Sequence, residues 1–123
     1  MIGRANRFHG YNSLRYVYKH GKTVRGSHMG LRYCPDIKRQ DYRLAVVVSK
    51  KINKSAVARN RIRRRIYEVV RVQMAPNQPF DMVVTVFQAN VQTVPDNELR
   101  QEIADILRQA DLKTHGIIET IEN

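Results

Sequence analysis

The residues of this chain that could do chemistry are mostly basic, and they lie close together. Three lysines, at positions 50, 51 and 54, are followed by five arginines, at positions 59, 61, 63, 64 and 65. The pattern predicts a loop and then the start of a helix. Arginines at that end oppose the helix dipole, so helix stability does not explain them. A bound phosphate does, because free backbone N–H groups and guanidinium groups both attract an anion.

Charge is divided unevenly along the chain. Residues 1–72 contain 19 lysines and arginines against three acids, a net charge of +16, whereas residues 73–123 contain three against eight, a net charge of −5. A solvated surface does not require such a division. A one-sided positive field attracts a polyanion, whose counterions are released on binding. The distribution therefore predicts a nucleic-acid partner.

The acidic residues and histidines argue against catalysis by the protein itself. A magnesium-dependent nuclease needs two or more carboxylates that converge on the metal. The basic region has only Asp36, Asp41 and Glu68, and we expect Glu68 to pair with Arg64 or Arg71 on its own helix. The histidines, at positions 9, 20, 28 and 115, show no metal-binding spacing. We expect that the protein alone does not cleave RNA.

Cysteine content and hydropathy bear on the compartment. The single cysteine, Cys34, excludes an internal disulfide and is expected to be buried. The longest apolar run, at 44–48, is far shorter than the roughly 20 residues of a membrane span. No signal peptide is recognised at the N-terminus. The expectation is a cytoplasmic protein.

Hydrophobic periodicity predicts the elements that position these residues. It indicates a helix at 12–20, extended chain at 23–33, a strand at 42–49, a helix from 55 to about 72, a strand at 81–87 and a helix at 96–110. The run Leu-Ala-Val-Val-Val at 44–48 predicts a central strand covered on both faces. The helix after it is long enough to connect parallel strands. The order predicts an α/β (α+β) two-layer sandwich forming one domain over residues 1–123.

The helix predicted from residue 55 has two different faces. Its apolar stripe follows helical spacing and comprises Ala58, Ile62, Ile66, Val69 and Val70. The side chains expected to project from the opposite side are those of Asn60, Arg63, Arg64, Tyr67 and Arg71. One face is therefore predicted to pack on the sheet while the other meets the partner.

These residues carry a resemblance to a known family. Ser-Lys-Lys at 49–51, a short turn, and Val-x-Arg-Asn-Arg-Ile-Arg-Arg at 57–64 resemble the signature of the bacterial ribonuclease P protein subunit. Arg-Phe at 7–8, the helix at 14–21, the strands ending at 51 and 86, and the segment 99–112 follow in that family's order. The resemblance covers about residues 7–112, and 113–123 form a tail.

The resemblance implies a fold, a partner and a reaction. The fold would be an αβββαβα sandwich, ribosomal-protein-S5-domain-2-like, with a left-handed βαβ crossover at the arginine helix. The partner would be a large catalytic RNA that removes the 5′ leader of precursor tRNA. The chemistry would belong to that RNA, with Mg²⁺ held mainly by it, and the protein alone would be inactive.

The resemblance also implies site residues. Contacts to the catalytic RNA would come from Lys50, Lys51, Lys54, Arg59, Asn60, Arg61, Arg63, Arg64, Tyr67 and Arg71. A cleft for the leader, between the first helix and the sheet, would be lined by Leu14, Tyr18, Arg32 and Tyr33. The family usually has an aromatic at the site of Leu14 and a basic residue at that of Tyr67. Which of Arg32 and Tyr33 faces the cleft stays open, and Tyr18 could instead join Leu14 and Val17 in the core.

Two other classes of nucleic-acid binder are weighed against this interpretation. A ribosomal or other structural RNA-binding protein would share the charge and the sandwich, but it has no reason to carry the signature at 49–64. A DNA-binding regulator would place a second helix before the arginine helix. Here a valine-rich strand is predicted in that place.

Overall fold

The computed structural model describes residues 11–34, 41–75, 78 and 80–110. Its elements are α1 (Tyr11–His20), β1 (Lys22–Arg25), β2 (Met29–Cys34), β3 (Arg43–Val47), α2 (Ala56–Gln73), β4 (Asp81–Val86), a 3₁₀ turn (Ala89–Gln92) and α3 (Asp96–Gln109). This order confirms the predicted αβββαβα arrangement. The predictions made for Arg7, Phe8, Asp36 and the tail at 113–123 lie outside the described residues.

The four strands form one sheet in the order β1-β2-β4-β3. The β1–β2 and β2–β4 pairs are antiparallel, whereas β3 and β4 are parallel and are connected through α2, as predicted. The prediction that the strand at 42–49 is central was wrong, because β3 lies at the edge of the sheet and β4 inside it. Both faces of β3 are nevertheless covered. Leu44 and Val46 are buried on one face, and Ala45 and Val47 are half-buried on the other.

The main core lies between the sheet and helices α2 and α3. Alternate strand residues enter it, and the fully buried ones include Met29, Leu31, Leu44 and Met82. The predicted stripe of α2 is confirmed at its four buried residues, Ala58, Ile62, Ile66 and Val70, with Val69 half-buried against them. Helix α3 contributes Leu99, Ile103, Ile106 and Leu107, and Ala110, which caps its C-terminus, is buried beside them, as predicted. Each large side chain buried there stabilises the fold by about 1.5–3 kcal/mol.

Helix α1 covers the other face of the sheet with a smaller apolar cluster. Val17 is fully buried there against Cys34 and Val83, and Leu14 packs at its margin. Cys34 is buried, as predicted. Burial is the main cause that raises the pKa of its thiol, and the negative charge of the nearby Asp81 carboxylate raises this pKa further. In the part of the chain that the structure describes, no helix is long and apolar enough to cross a membrane.

Candidate nucleic-acid interface

The loop between β3 and α2 is held by short-range hydrogen bonds. The carbonyl of Ser49 accepts from the backbone N–H groups of Ile52 and Asn53, at 3.0 and 3.3 Å. The side-chain oxygen of Asn53 then accepts from the N–H of Ser55 at 2.9 Å, and the Ser55 hydroxyl caps α2 by accepting from Ala58 N–H at 3.2 Å. These bonds fix the backbone without the lysines. Lys50, Lys51 and Lys54 are consequently all exposed at the entrance to α2.

Arg59 anchors this loop to the helix. One of its guanidinium nitrogens donates to the carbonyls of Asn53 and Lys54, both at 3.0 Å. The side chain is half-buried as a result. Arg59 was predicted as a contact to RNA. The structure gives it a structural task as well, because it holds the backbone that carries Lys54.

Arg65 connects α2 to the segment before α3. Its guanidinium donates to the carbonyl of Val91 at 2.7 Å, to the carbonyl of Val94, and to the Asp96 carboxylate at 2.8 Å. The Arg65 guanidinium lowers the pKa of Asp96. The sequence-based prediction placed Arg65 among the five clustered arginines without recognising this task, since its partners lie 26 to 31 residues further along the chain.

Arg61 and Arg64 differ from Arg59 and Arg65, whose side chains bind backbone carbonyls. Both side chains are exposed, and among the described residues neither makes a hydrogen bond or ion pair. Arg63 is half-buried and donates to the side-chain oxygen of the exposed Asn60. Arg61 and Arg64, with the three loop lysines, are therefore the cations most available to a polyanion at this end of α2.

The last turns of α2 carry an ion pair on the helix surface. Arg71 donates to Glu68 three residues earlier, which confirms one of the two pairings predicted for that carboxylate. This bond lowers the pKa of Glu68 and raises that of Arg71. Arg71 was predicted to contact RNA. Its charge is partly neutralised by this partner, unlike the charges of Arg61 and Arg64.

Tyr67 does not project away from the sheet, so that part of the prediction was wrong. The side chain is half-buried against the main core, and its phenol oxygen accepts from the backbone N–H of Val46 on β3 at 3.3 Å. Tyr67 follows Ile66 by one residue, and its length lets the phenol reach the edge strand beside the core. An edge strand has backbone donors without strand partners, and Tyr67 supplies an acceptor for one of them.

The open question about Arg32 and Tyr33 is answered by the alternation of β2. Met29 and Leu31 are buried in the main core, and Tyr33 continues their face, with its ring 6.3 Å from that of Phe80. Arg32 lies on the face of Cys34, beneath α1. Tyr33 therefore does not line the predicted cleft, because a strand side chain one residue out of step faces the opposite side of the sheet.

Arg32 fixes the end of α1 to the sheet. It donates to the carbonyls of Tyr18 and Gly21 and, at 3.0 Å, to the hydroxyl of Thr23. A cation at the C-terminus of a helix is favourable because the last carbonyls are unsatisfied and the dipole is negative there. Gly21 permits the close approach, since a Cβ at this position would lie 2.5 Å from the Val17 carbonyl oxygen. Arg32 thus holds one wall of the predicted cleft in place.

Tyr18 lies outside the core, so the alternative that placed it in the core stripe was wrong. Its side chain is 41% exposed, whereas Val17 beside it is fully buried. Leu14, on the same flank of α1, is half-buried and packs against the cluster of Val17, Cys34 and Val83. The sheet is open beyond α1 at the exposed Thr85, which pairs in register with Val47. The Lys50–Lys51 loop begins just after that end of β3.

The carboxylates of the described residues are not arranged as a metal site. No group of three or more His, Cys, Asp or Glu side chains among them could hold a metal ion. Several acids instead have partners within the protein. Asp81 pairs with Arg43, Asp96 with Arg65, Glu68 with Arg71 and Asp105 with Arg108, and Glu102 is hydrogen-bonded to the His28 ring. The described residues do not fit a resident Mg²⁺.

Comparison with known proteins identifies the family. The ribonuclease P family model matches residues 2–111. The ribonuclease P protein component of Chloroflexus aurantiacus is 34% identical over 119 residues, with 96% of this chain and 87% of the relative covered. The chain belongs to the ribonuclease P protein family. The corresponding protein of a Synechococcus species is 30% identical, with 91% of this chain and 86% of the relative covered.

Solved structures of the ribonuclease P family show the same fold. The Staphylococcus aureus RNase P protein superposes with a TM-score of 0.75 at 23% identity, covering 89% of this chain and 98% of the other. The Thermotoga maritima RNase P protein gives 0.70 at 21% identity, covering 84% and 96%. The fold predicted from the resemblance is therefore confirmed as a mixed sandwich of four strands and three helices. Membership places the chain in an endoribonuclease complex of tRNA 5′ processing.

Proposed function

We propose that this chain is the RNA-binding subunit of a cytoplasmic ribonuclease P. In this proposal it binds the catalytic RNA through α2 and the loop before it. It binds the 5′ leader of precursor tRNA beside α1. The observation that carries the proposal is the set of exposed cations at the start of α2. Arg61 and Arg64 have no partner among the described residues, and the first turn of α2 contains no acidic residue.

The contact to the catalytic RNA is supported by how α2 is held. Two arginines hold the protein structure: Arg59 donates hydrogen bonds to the preceding loop, and Arg65 donates to the segment before α3. These bonds fix the helix start and the loop relative to the sheet. Arg61, Arg64 and the loop lysines then present their charges from a backbone that is already ordered, which lowers the entropic cost of binding phosphates.

The leader contact is supported by the surroundings of Tyr18. Single-stranded RNA is held by aromatic stacking beside positive charge. The exposed ring of Tyr18, the half-buried Leu14, the open sheet around Thr85 and the Lys50–Lys51 loop supply these parts. Arg32 contributes by fixing α1, and three of its hydrogen bonds are made within the protein.

The division of labour follows from the same geometry. The described residues offer no carboxylate cluster that could hold magnesium, so we assign the metal and the chemistry of cleavage to the RNA subunit. The protein contributes affinity. It adds positive charge where two RNAs meet and a stacking surface for the leader, and both lower the concentrations of salt and Mg²⁺ needed to hold the complex together.

Gel-shift competition tests the proposal. Labelled precursor tRNA is bound to the chain and challenged with unlabelled precursor tRNA, mature tRNA or duplex DNA of equal length. We expect precursor tRNA to compete best, because only it carries the leader. Equal competition by duplex DNA would indicate a general polyanion binder. Equal competition by the two tRNAs would show that the chain does not bind the leader.

A further inference from the structure

Helix α1 has a second aromatic flank that the proposed leader site does not use. Each residue of a helix advances about 100°, so Tyr16 and Tyr18 project about 200° apart. The fully buried Val17 lies between them and points to the sheet. Tyr18 and Leu14 therefore border the leader cleft, and Tyr16 and His20 lie on the opposite flank.

Tyr16 and His20 form a ring pair on that flank. Their ring centroids are 4.5 Å apart, the planes are inclined by 40°, and Tyr16 is 57% exposed, the more exposed of the helix's two described tyrosines. The pair adds nothing to either apolar cluster of the described structure. Each ring restricts the motion of the other, so an ordered aromatic surface is presented to solvent at little further entropic cost.

The charges around this pair favour an anionic partner. Arg15 and Lys19 lie on the outer side of α1 between the two flanks, and Lys22 follows on β1; all three are exposed. The first 35 residues of the sequence contain no Asp or Glu. An isolated surface tyrosine needs no explanation. A held pair of exposed rings beside the exposed Lys19 and Lys22 matches the composition of single-strand binding platforms, where aromatic rings stack on bases beside backbone phosphates.

We propose that Tyr16 and His20, with Lys19 beside them, form a second platform for single-stranded RNA, on the flank of α1 opposite the leader cleft. Duplex RNA does not fit this site, because its bases are already stacked on each other. The chemistry allows two sources, the part of the leader beyond the cleft or an unpaired segment of the catalytic RNA. The inference rests on the proposed function, since it assumes that α1 lies among RNA.

The test measures the affinity of the full chain for three RNAs: precursor tRNA with a leader that only fills the cleft, the same precursor with a longer unpaired leader, and the catalytic RNA. The variants are Tyr16→Ala, Tyr16→Phe and, as the matched change on the other flank, Tyr18→Ala. We expect Tyr16→Ala to weaken the longer precursor or the catalytic RNA by about 5-fold or more, the lower range for one stacked base. Tyr16→Phe should bind like the wild type, because it keeps the ring.

The pattern of losses identifies the source. A loss confined to the longer precursor assigns the platform to the distal leader, and a loss for the catalytic RNA assigns it to that subunit. Wild-type affinity of Tyr16→Ala for all three RNAs overturns the inference, as does a Tyr16→Phe variant as weak as Tyr16→Ala. If Tyr18→Ala is weakened while Tyr16→Ala is not, this inference alone fails. If the wild-type chain binds none of the RNAs, the proposed function fails with it.

Discussion

Replacing arginines of α2 should separate those that bind RNA from those that hold the protein together. The double variant Arg61→Ala/Arg64→Ala removes two exposed guanidinium groups that have no partner among the described residues. Each lost phosphate contact lowers the slope of log affinity against log salt by about 0.7–0.9. Two contacts therefore correspond to a decrease of about 1.4–1.8. The melting temperature should stay at the wild-type value, because no described contact is lost.

Arg65→Ala, a change on the same helix, should lower the stability of the fold and leave the salt dependence of RNA binding unchanged. It leaves the carbonyls of Val91 and Val94 without their charged donor. A hydrogen bond to a charged group contributes about 1.5–3 kcal/mol, and the bond to the mostly exposed Asp96 adds little. With allowance for non-additivity, we expect a loss of about 2–3 kcal/mol in the free energy of unfolding. The melting temperature should fall by about 10 °C.

The assay is filter binding or gel shift with the catalytic RNA across a salt series, paired with thermal denaturation of each variant. Arg65→Ala should keep the wild-type salt slope at temperatures where it is folded. An unchanged slope for Arg61→Ala/Arg64→Ala would place the RNA surface elsewhere. A melting temperature lowered as far as that of Arg65→Ala would show that these arginines are structural too.

Three further predictions concern α1, the ion pair between Arg43 and Asp81, and alkaline pH. Tyr18→Ala should weaken binding of precursor tRNA by about 5- to 100-fold and leave binding of mature tRNA nearly unaffected, since one stacked base is lost. Equal losses of affinity for the two tRNAs would contradict a leader site at Tyr18. In the same titration, Leu14→Phe should tighten binding of precursor tRNA. Asp81→Asn should lower the free energy of unfolding by about 3–5 kcal/mol, because Arg43, 13% exposed, loses its paired carboxylate at 2.8 Å. Replacing both Arg43 and Asp81 with leucine should lower the free energy of unfolding, measured by urea denaturation, by less than the single change. An equal loss in the two variants would refute the prediction. Burial raises the pKa of Tyr42 from 10.0 to about 12, so the folded state keeps a proton that the unfolded chain releases. The free energy of unfolding should therefore fall between about pH 10 and 12. In Tyr42→Phe the urea midpoint should decline less steeply over this pH range, and a decline as steep as that of the wild type would contradict the prediction.

The sequence predicted the elements well, because their signals are local. The cap at Ser55 and the apolar stripe of α2 both lie within one short segment, and the structure confirms them. The edge position of β3 could not be obtained in this way. An apolar run indicates that both faces of a strand are covered, and here Ala45 and Val47 of the edge strand pack against the small cluster that contains Val17, Cys34 and Val83.

The candidate site was predicted less completely, for two physical reasons. The task of Arg65 depends on Val91, Val94 and Asp96, which only the folded chain brings near it. The orientation of Tyr33 did have a signal. Met29 and Leu31 alternate with Gly30 and Arg32, and continuing that alternation places Tyr33 in the core.

Reconstituted cleavage tests the central claim most directly. Precursor tRNA is incubated with highly purified, RNA-free protein, with a cognate catalytic RNA, and with both, over a series of Mg²⁺ and salt concentrations. We predict no cleavage by the protein alone, and with both components a correctly placed 5′ cut at lower Mg²⁺ than the RNA requires by itself. A metal-dependent cut by the protein alone, or an unchanged Mg²⁺ requirement when it is added, would contradict the account.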